Sequence, residues 1–279
     1  MRRLSPFLIV ALAGGFVFLY LPILSMAVYS FNDSRLATVW GGFSTRWYVS
    51  LASNRQILGA AALSLKIALV SATVATVLGT MAGFALARFR RFRGRTLFAG
   101  LVTAPLVMPE VITGISLLML FILLAEATGW PGQRGFATVT LAHITFSMVF
   151  VTTVVQARLS QADRAIEEAA MDLGSRPWQV LWDVTLPTAF PAILSGWLLA
   201  FTISLDDVVI TSFTTGPGST TLPLVIWSKV KLGVTPDVNA LATITVVVVG
   251  IGVALAGWIL ARAERRRLRD ERLAARGDG

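Results

Sequence analysis

Glu167-Glu168-Ala169-Ala170-Met171-Asp172-Leu173-Gly174, continuing to Thr185-Leu186-Pro187, decides how this chain is read. It is a polar interruption between two strongly apolar runs. Ile166, Ala169, Ala170 and Leu173 fall at the i, i+3, i+4, i+7 spacing of one helix face, with Arg164, Glu168 and Asp172 away from it. Gly174 can take positive φ and so ends that helix. Ser175 offers an N-cap to a second helix, with Pro177 in its first turn. Trp178, Leu181, Trp182 and Thr185 line one face of that helix, and Pro187 and Pro191 end it and turn the chain into the next apolar run. The expected product is a small, stiff helical hairpin. Such an element has no use inside a bilayer; outside it, it presents a surface to another protein.

The rest of the chain is built for a membrane. Mean hydropathy is +0.74. Hydrophobic residues make up 55% and charged ones 14%, where a soluble domain carries about 25% charged. Apolar runs of about 20 residues recur, the length that crosses a hydrocarbon core of about 30 Å. Their backbones must satisfy themselves there, so they are helices, and the dyad alternation of a membrane barrel is absent. Six spans are expected, at 7–30, 57–87, 97–124, 136–156, 191–213 and 239–262. The first follows Arg2 and Arg3 but is too long for an ordinary signal h-region, so it reads as an uncleaved anchor.

Arginine placement gives the orientation. Arg2 and Arg3, the five arginines from Arg88 to Arg95, then Arg158, Arg164 and Arg176, and the seven from Arg262 to Arg276 all fall on one side. The other side holds Arg35, Arg46, Arg55, Arg134, Lys229 and Lys231, while Lys66 lies within a span. The positive-inside rule places the first side, with both termini and the Glu167–Pro187 segment, in the cytoplasm. That topology accounts for the net charge of +9. Nucleic-acid binding by the basic tail is disfavoured, because Glu264, Asp270 and Glu271 interleave with its arginines as in a solvated helix extension.

Cysteine is absent, which excludes a disulfide framework and thiolate metal sites. His143, the single histidine, cannot by itself hold a haem or zinc. Near Thr140 and Thr145 it reads as a packed, hydrogen-bonded group. The sequence holds no G-x-x-x-x-G-K-[ST], so energy from ATP must be borrowed. Trp40, Trp47, Tyr48 and Trp130 mark the membrane–water belt, and their faces also suit an ammonium ion.

Glu168-Ala169-Ala170, Gly174 and Leu186-Pro187 together resemble the EAA loop of permeases of binding-protein-dependent ABC importers. The resemblance covers 57–262 and implies an all-α, MetI-like permease fold of six transmembrane helices. It implies that Glu167, Glu168, Ala169, Ala170, Asp172, Gly174, Leu186 and Pro187 form the element that couples to the ATPase. A narrower resemblance rests on Tyr29-Ser30-Phe31-Asn32, on Ala104-Pro105-Leu106-Val107-Met108-Pro109-Glu110-Val111-Ile112-Thr113-Gly114, and on Ser204-Leu205-Asp206-Asp207-Val208-Val209-Ile210. These resemble polyamine-importer permeases, most of all the second permease subunit of putrescine uptake systems. The implied partners are a dimer of ABC ATPase subunits, a second homologous permease and a periplasmic polyamine-binding protein. ATP and Mg belong to the ATPase, and this chain holds no cofactor, metal or catalytic residue. The expected organisation is one permease domain over 1–279, with a core at 57–262, a coupling loop at 158–190 and a basic tail at 263–279. Lys66 departs from the group, since a cation in a cation route repels. It is expected to snorkel outward or face away from the path.

The carboxylates point to a cation independently. Each aspartate at a helix centre costs about 2.5–3.5 kcal/mol on insertion scales, so it needs a partner, a wet cavity or a function. On a continuous helix Asp206 shares a stripe with Ser195 and Thr202, while Asp207 falls nearer Ser204 and Thr211, about 100° away. Glu110 follows Pro109, where a broken helix would expose backbone carbonyls. Asp206, Asp207, Glu110, Thr202 and Ser204 are the candidate pathway residues, and the competing reading is structural hydrogen bonding between helices. Other readings are an ABC importer for another small cationic or organic solute, or a secondary transporter or channel. Neither of the last two needs a docking hairpin. An aspartyl intramembrane protease needs aspartates from different spans, and Asp206 and Asp207 are neighbours.

Overall fold

The computed structural model describes residues 5–34, 39–89, 91–233 and 235–277. Of the basic residues counted above, Arg2, Arg3, Arg35 and Arg90 lie outside these, as do the side chains from 263 onward. The described residues are helical, and an isolated bridge pairs Asn32 with Phe43. Among them six helical stretches are long and apolar enough to cross a membrane. Backbone contacts divide the chain into two units, Met1–Leu58 with Ile226–Gly279, and Gly59–Val225.

In the first unit α1 (Pro6–Tyr29) packs on α12 (Pro236–Gly277), which also meets the short α2 (Arg46–Ser53). The loop after α1 is tied by buried Asn32, which accepts from Gly41 N at 2.8 Å and donates to Val39 O at 2.8 Å. Trp47 Nε1 donates to Asn32 O at 2.7 Å, and the Arg46 guanidinium lies 4.5 Å over the Trp47 ring. That ring face already carries a cation, and Tyr48 is bonded to Ser30 at 2.5 Å. Lys229 pairs with Asp237 at 2.5 Å.

The second unit is built round α6 (Phe136–Gln161), the most enclosed of the spanning helices. It packs along α9 (Leu186–Asp206) and against α3 (Arg55–Arg88). Val151, Val155 and Leu159 meet Ala72 of α3 and Ala189 and Ala200 of α9. Small residues bring the backbones together, as expected where lipid offers no hydrophobic drive. A Cβ at Gly79 would stand 2.7 Å from Val151 Cβ and 2.8 Å from Met148 O, so only glycine fits there. Lys66 is exposed, one position before buried Ile67 and Ala68, and so leaves the packed face.

Two expected spans are discontinuous. The run 97–124 is α4 (Arg95–Val107) and α5 (Glu110–Thr128), with Met108 and Pro109 extended between them, so the third span is α5. Pro109 lacks an N–H and drives Met108 out of the helical region. The run 191–213 ends as α9 at Asp206 and resumes as α10 (Val209–Thr214), which packs on α5. Two short helices fall in segments expected to be loops, α2 and α11 (Leu222–Leu232).

The prolines do not end the second hairpin helix. The stretch from Pro177 to Asp206 stays helical through α8 (Pro177–Val180), a π turn at Leu181–Thr185 and α9. Leu186 N–H reaches Leu181 O, five residues back. That wider turn absorbs Pro187, which has no N–H to give and would crowd an α-helical carbonyl.

Candidate functional site

The interruption folds as α7 (Ala165–Asp172), a glycine stop and α8. Gly174 has φ +91°. Its N–H bonds Met171 O at 2.9 Å and that of Ser175 bonds Ala170 O at 3.1 Å, the paired bonds of a Schellman stop. Ser175 is not the N-cap of the next helix. Arg176 takes that position, and Gln179 Oε1 accepts its N–H at 2.8 Å.

Glu167 fastens the hairpin. Its Oε1 accepts from Arg88 at 2.8 Å and from Thr185 Oγ1 at 2.9 Å. Arg88 also donates to Leu159 O at 2.7 Å, and Arg164 donates to Ala87 O at 2.8 Å. The ends of α3 and α6, α7 and the π turn are thereby joined through one part-buried ion pair. Glu168, Ala169, Asp172 and Pro187 are exposed, while Ala170 and Leu186 are half-buried. The apolar stripe of α7 is uncovered, with Ile166 58% and Leu173 89% exposed. Trp178 and Trp182 are exposed as well, whereas Thr185, read from periodicity as sharing their face, is buried because the π turn rotates it inward.

The second site surrounds the break between α9 and α10. Asp207 leaves the helix with ψ 127°, so the 100° stepping used for the sequence stops at Asp206. Its Oδ1 accepts from Ile210 N at 3.2 Å, and its Oδ2 accepts from Thr211 N and Thr211 Oγ1, each at 2.7 Å. One carboxylate thus satisfies the orphan donors at the start of α10. His143 Nε2 lies 3.2 Å from Asp207 Oδ2 and 3.0 Å from Thr211 Oγ1. His143 Nδ1 lies 2.6 Å from Ser204 Oγ, which meets Ser71 Oγ at 2.9 Å. A proton on Nε2 suits these partners, because the carboxylate can only accept. Ser71, Ser204, His143 and Thr211 are all buried. This chain of bonds links α3, α6, α9 and α10.

Asp206, one residue earlier, is exposed, as is Glu110 at the start of α5. Glu110 lies close enough to act electrostatically on the Asp206 carboxylate. Thr202 is half-buried and donates to carbonyls of its own helix, Leu198 O at 3.0 Å and Leu199 O at 2.9 Å. Sequence reasoning paired His143 with its near neighbours Thr140 and Thr145. Its partners are instead 61 to 68 residues away; Thr211 was placed near Asp207 by helical stepping but not linked to His143, and Ser71 was not singled out. Thr211 carried one local signal, as the hydroxyl four residues after an aspartate that can cap. Among the described residues no group of three or more acidic, histidine or cysteine side chains could hold a metal.

These features define a multi-pass membrane protein with two broken helices and a polar helical hairpin. A family model for the inner membrane component of binding-protein-dependent transport systems matches residues 75–269, and the chain belongs to that family. It is 55% identical to the putrescine transport system permease protein PotI of Escherichia coli (strain K12), over 98% of this chain and 97% of that one. It is 44% identical to the spermidine/putrescine transport system permease protein PotC of the same strain, over 90% and 94% of the two chains. A bacterial ABC transporter involved in the import of the acidic polysaccharide alginate shares the fold. The TM-score there is 0.69 at 16% identity, over 89% of this chain and 93% of that one.

Proposed function

We propose that this chain is the membrane-spanning permease subunit of an ATP-driven importer that moves putrescine, spermidine or both from periplasm to cytoplasm by alternating access. The observation that carries the reading is the 55% identity to a putrescine permease over nearly the whole of both chains. The chain forms one permease domain, with its core at 57–262, its coupling loop at 158–190 and a basic cytoplasmic tail at 263–279. A second homologous permease completes the pathway. A periplasmic polyamine-binding protein delivers the substrate, and a pair of ABC ATPase subunits binds ATP and Mg and drives the cycle. Both termini and the hairpin lie in the cytoplasm.

The coupling surface is the exposed stripe of α7 with Glu168 and Asp172, stopped at Gly174. The bare Ile166 and Leu173 side chains support this, because a monomer gains nothing by holding them in water. Glu167 acts behind that surface and transmits its movement through Arg88 and Thr185 to α3 and α9. In the substrate route Asp206 and Glu110 face the polyamine. A multivalent ammonium loses hydration in a narrow path, and acidic groups repay part of that loss and keep anions out. Thr202 continues the Asp206 stripe. Asp207 and Ser204 form the supporting wall, which holds the break that exposes Asp206.

Uptake of labelled putrescine and spermidine tests this in a strain lacking the gene and complemented with it. Restored polyamine uptake is the expected result. Unchanged polyamine uptake with restored uptake of another small cationic or organic solute would move the chain to a different importer.

A further inference from the structure

At the joint between α3 and α4 a cavity of about 230 Å³ is lined by Arg88, Arg95 and Arg164, with Gln156 and Ser160 of α6. A water takes about 30 Å³ of liquid, so there is room for a phosphate group with its ester arms. The three guanidiniums are drawn in partly by helix ends, because Arg95 donates to Leu86 O at 3.1 Å and Arg164 to Ala87 O at 2.8 Å. That leaves their charge unmatched. Arg88 is paired with Glu167, and among the described residues Arg95 and Arg164 form no ion pair. Arg95 Nε is buried with no hydrogen-bond partner, a cost normally met by an acceptor. A second cavity on the same joint, about 260 Å³, is lined by Phe89, Phe92, Phe98, Ala85 and Arg91 and is mostly apolar. Phe89 is 56% and Phe92 39% exposed.

We propose that this arginine cavity binds the phosphodiester headgroup of an anionic phospholipid, with an acyl chain against the neighbouring phenylalanine groove. Charge complementarity and position single out this occupant. The excess guanidinium charge sits where spanning helices end, at the depth of lipid phosphates, and an apolar groove adjoins it as a free anion would not require. Arg88 shares the cavity with the Glu167 ion pair, so a bound headgroup sets the charge balance at the root of the hairpin. The site adds to the importer reading and its test requires no transport.

The complex of this chain with its partner subunits would be placed in nanodiscs holding phosphatidylglycerol and phosphatidylcholine, then released for native mass spectrometry. Retention of phosphatidylglycerol over phosphatidylcholine is expected. Arg95→Gln and Arg164→Gln should each lower it about fivefold, while Arg95→Lys, which keeps the charge, should lose less. If one Gln variant fails to assemble, the other, set against Arg95→Lys, still decides the matter. Equal retention of the two lipids, or wild-type retention in both Gln variants, overturns the proposal. So does full displacement of phosphatidylglycerol by millimolar inorganic phosphate, which would make this a site for the free anion.

Discussion

Asp206 and Asp207 are chemically alike neighbours with opposite surroundings. Asp207 accepts from Ile210 N on one oxygen and from Thr211 N on the other. An asparagine there must turn its NH2 toward one of those N–H groups, so Asp207→Asn is not a gentle change. Leaving a buried donor unsatisfied costs about 1–3 kcal/mol. The expected outcome is lower expression or assembly, with transport per assembled complex nearly preserved. Asp206 is exposed, and the N–H that bonds its carboxylate is its own, so Asp206→Asn should leave assembly normal and cut uptake about tenfold or more, about 1.4 kcal/mol of barrier. Uptake normalised to assembled complex separates the two variants. A reversed pattern would remove Asp206 from the route and leave the family assignment intact. His143 extends the same logic: His143→Leu strips Asp207 and Ser204 of a buried partner and should lower the thermal stability of the purified complex, with Asp206 chemistry untouched.

At the scale of elements, the hairpin carries the sharpest expectations. Gly174 has φ +91°, where an L-residue with a Cβ loses about 1–2 kcal/mol. Gly174→Ala should leave the chain in the membrane with ATPase activity no longer driving uptake, measured as the ratio of ATP hydrolysed to substrate moved. Glu168→Lys reverses a charge on the exposed face and should act likewise. Glu167→Ala is a different lesion, because it leaves Arg88, only 8% exposed at its side chain, without its carboxylate. Breaking a fully buried pair from one side costs about 3–5 kcal/mol, which sets an upper bound for this part-buried one. Faster hydrogen exchange across 165–185 is the expected signature, and unchanged exchange would show that the pair does not hold the hairpin. Much of this element was legible in the sequence, since the glycine stop and the helical spacing are local signals. The break at Pro109 was legible for the same reason, as proline acts on its own neighbours. The break at Asp207 was not, because Leu205-Asp206-Asp207-Val208 contains no breaker, and the chain leaves the helix where a side chain captures N–H groups of the next turn. The π turn was equally hidden: two prolines signal an ended helix, and only a wider turn lets the helix run on. The histidine network was invisible because its members are brought together by packing across four helices.

Composition and recurring apolar runs pointed to a multi-pass protein, and among the described residues six helical stretches are long and apolar enough to cross a membrane. A periplasmic reporter should be silent when fused after Gly94, Gly174 or Gly279 and active after Ser44 or Gly218; activity at Gly279 would overturn the arrangement of termini. The central claim is that this chain forms a polyamine path driven by ATP that it does not itself bind. The most direct measurement is uptake of labelled putrescine into proteoliposomes carrying the complete complex, with the binding protein outside and ATP either inside or absent. Accumulation should require ATP, the binding protein and an intact ATPase subunit, and should disappear with Gly174→Ala. Putrescine entry that proceeds without ATP, or that survives removal of the ATPase subunit, would contradict the claim.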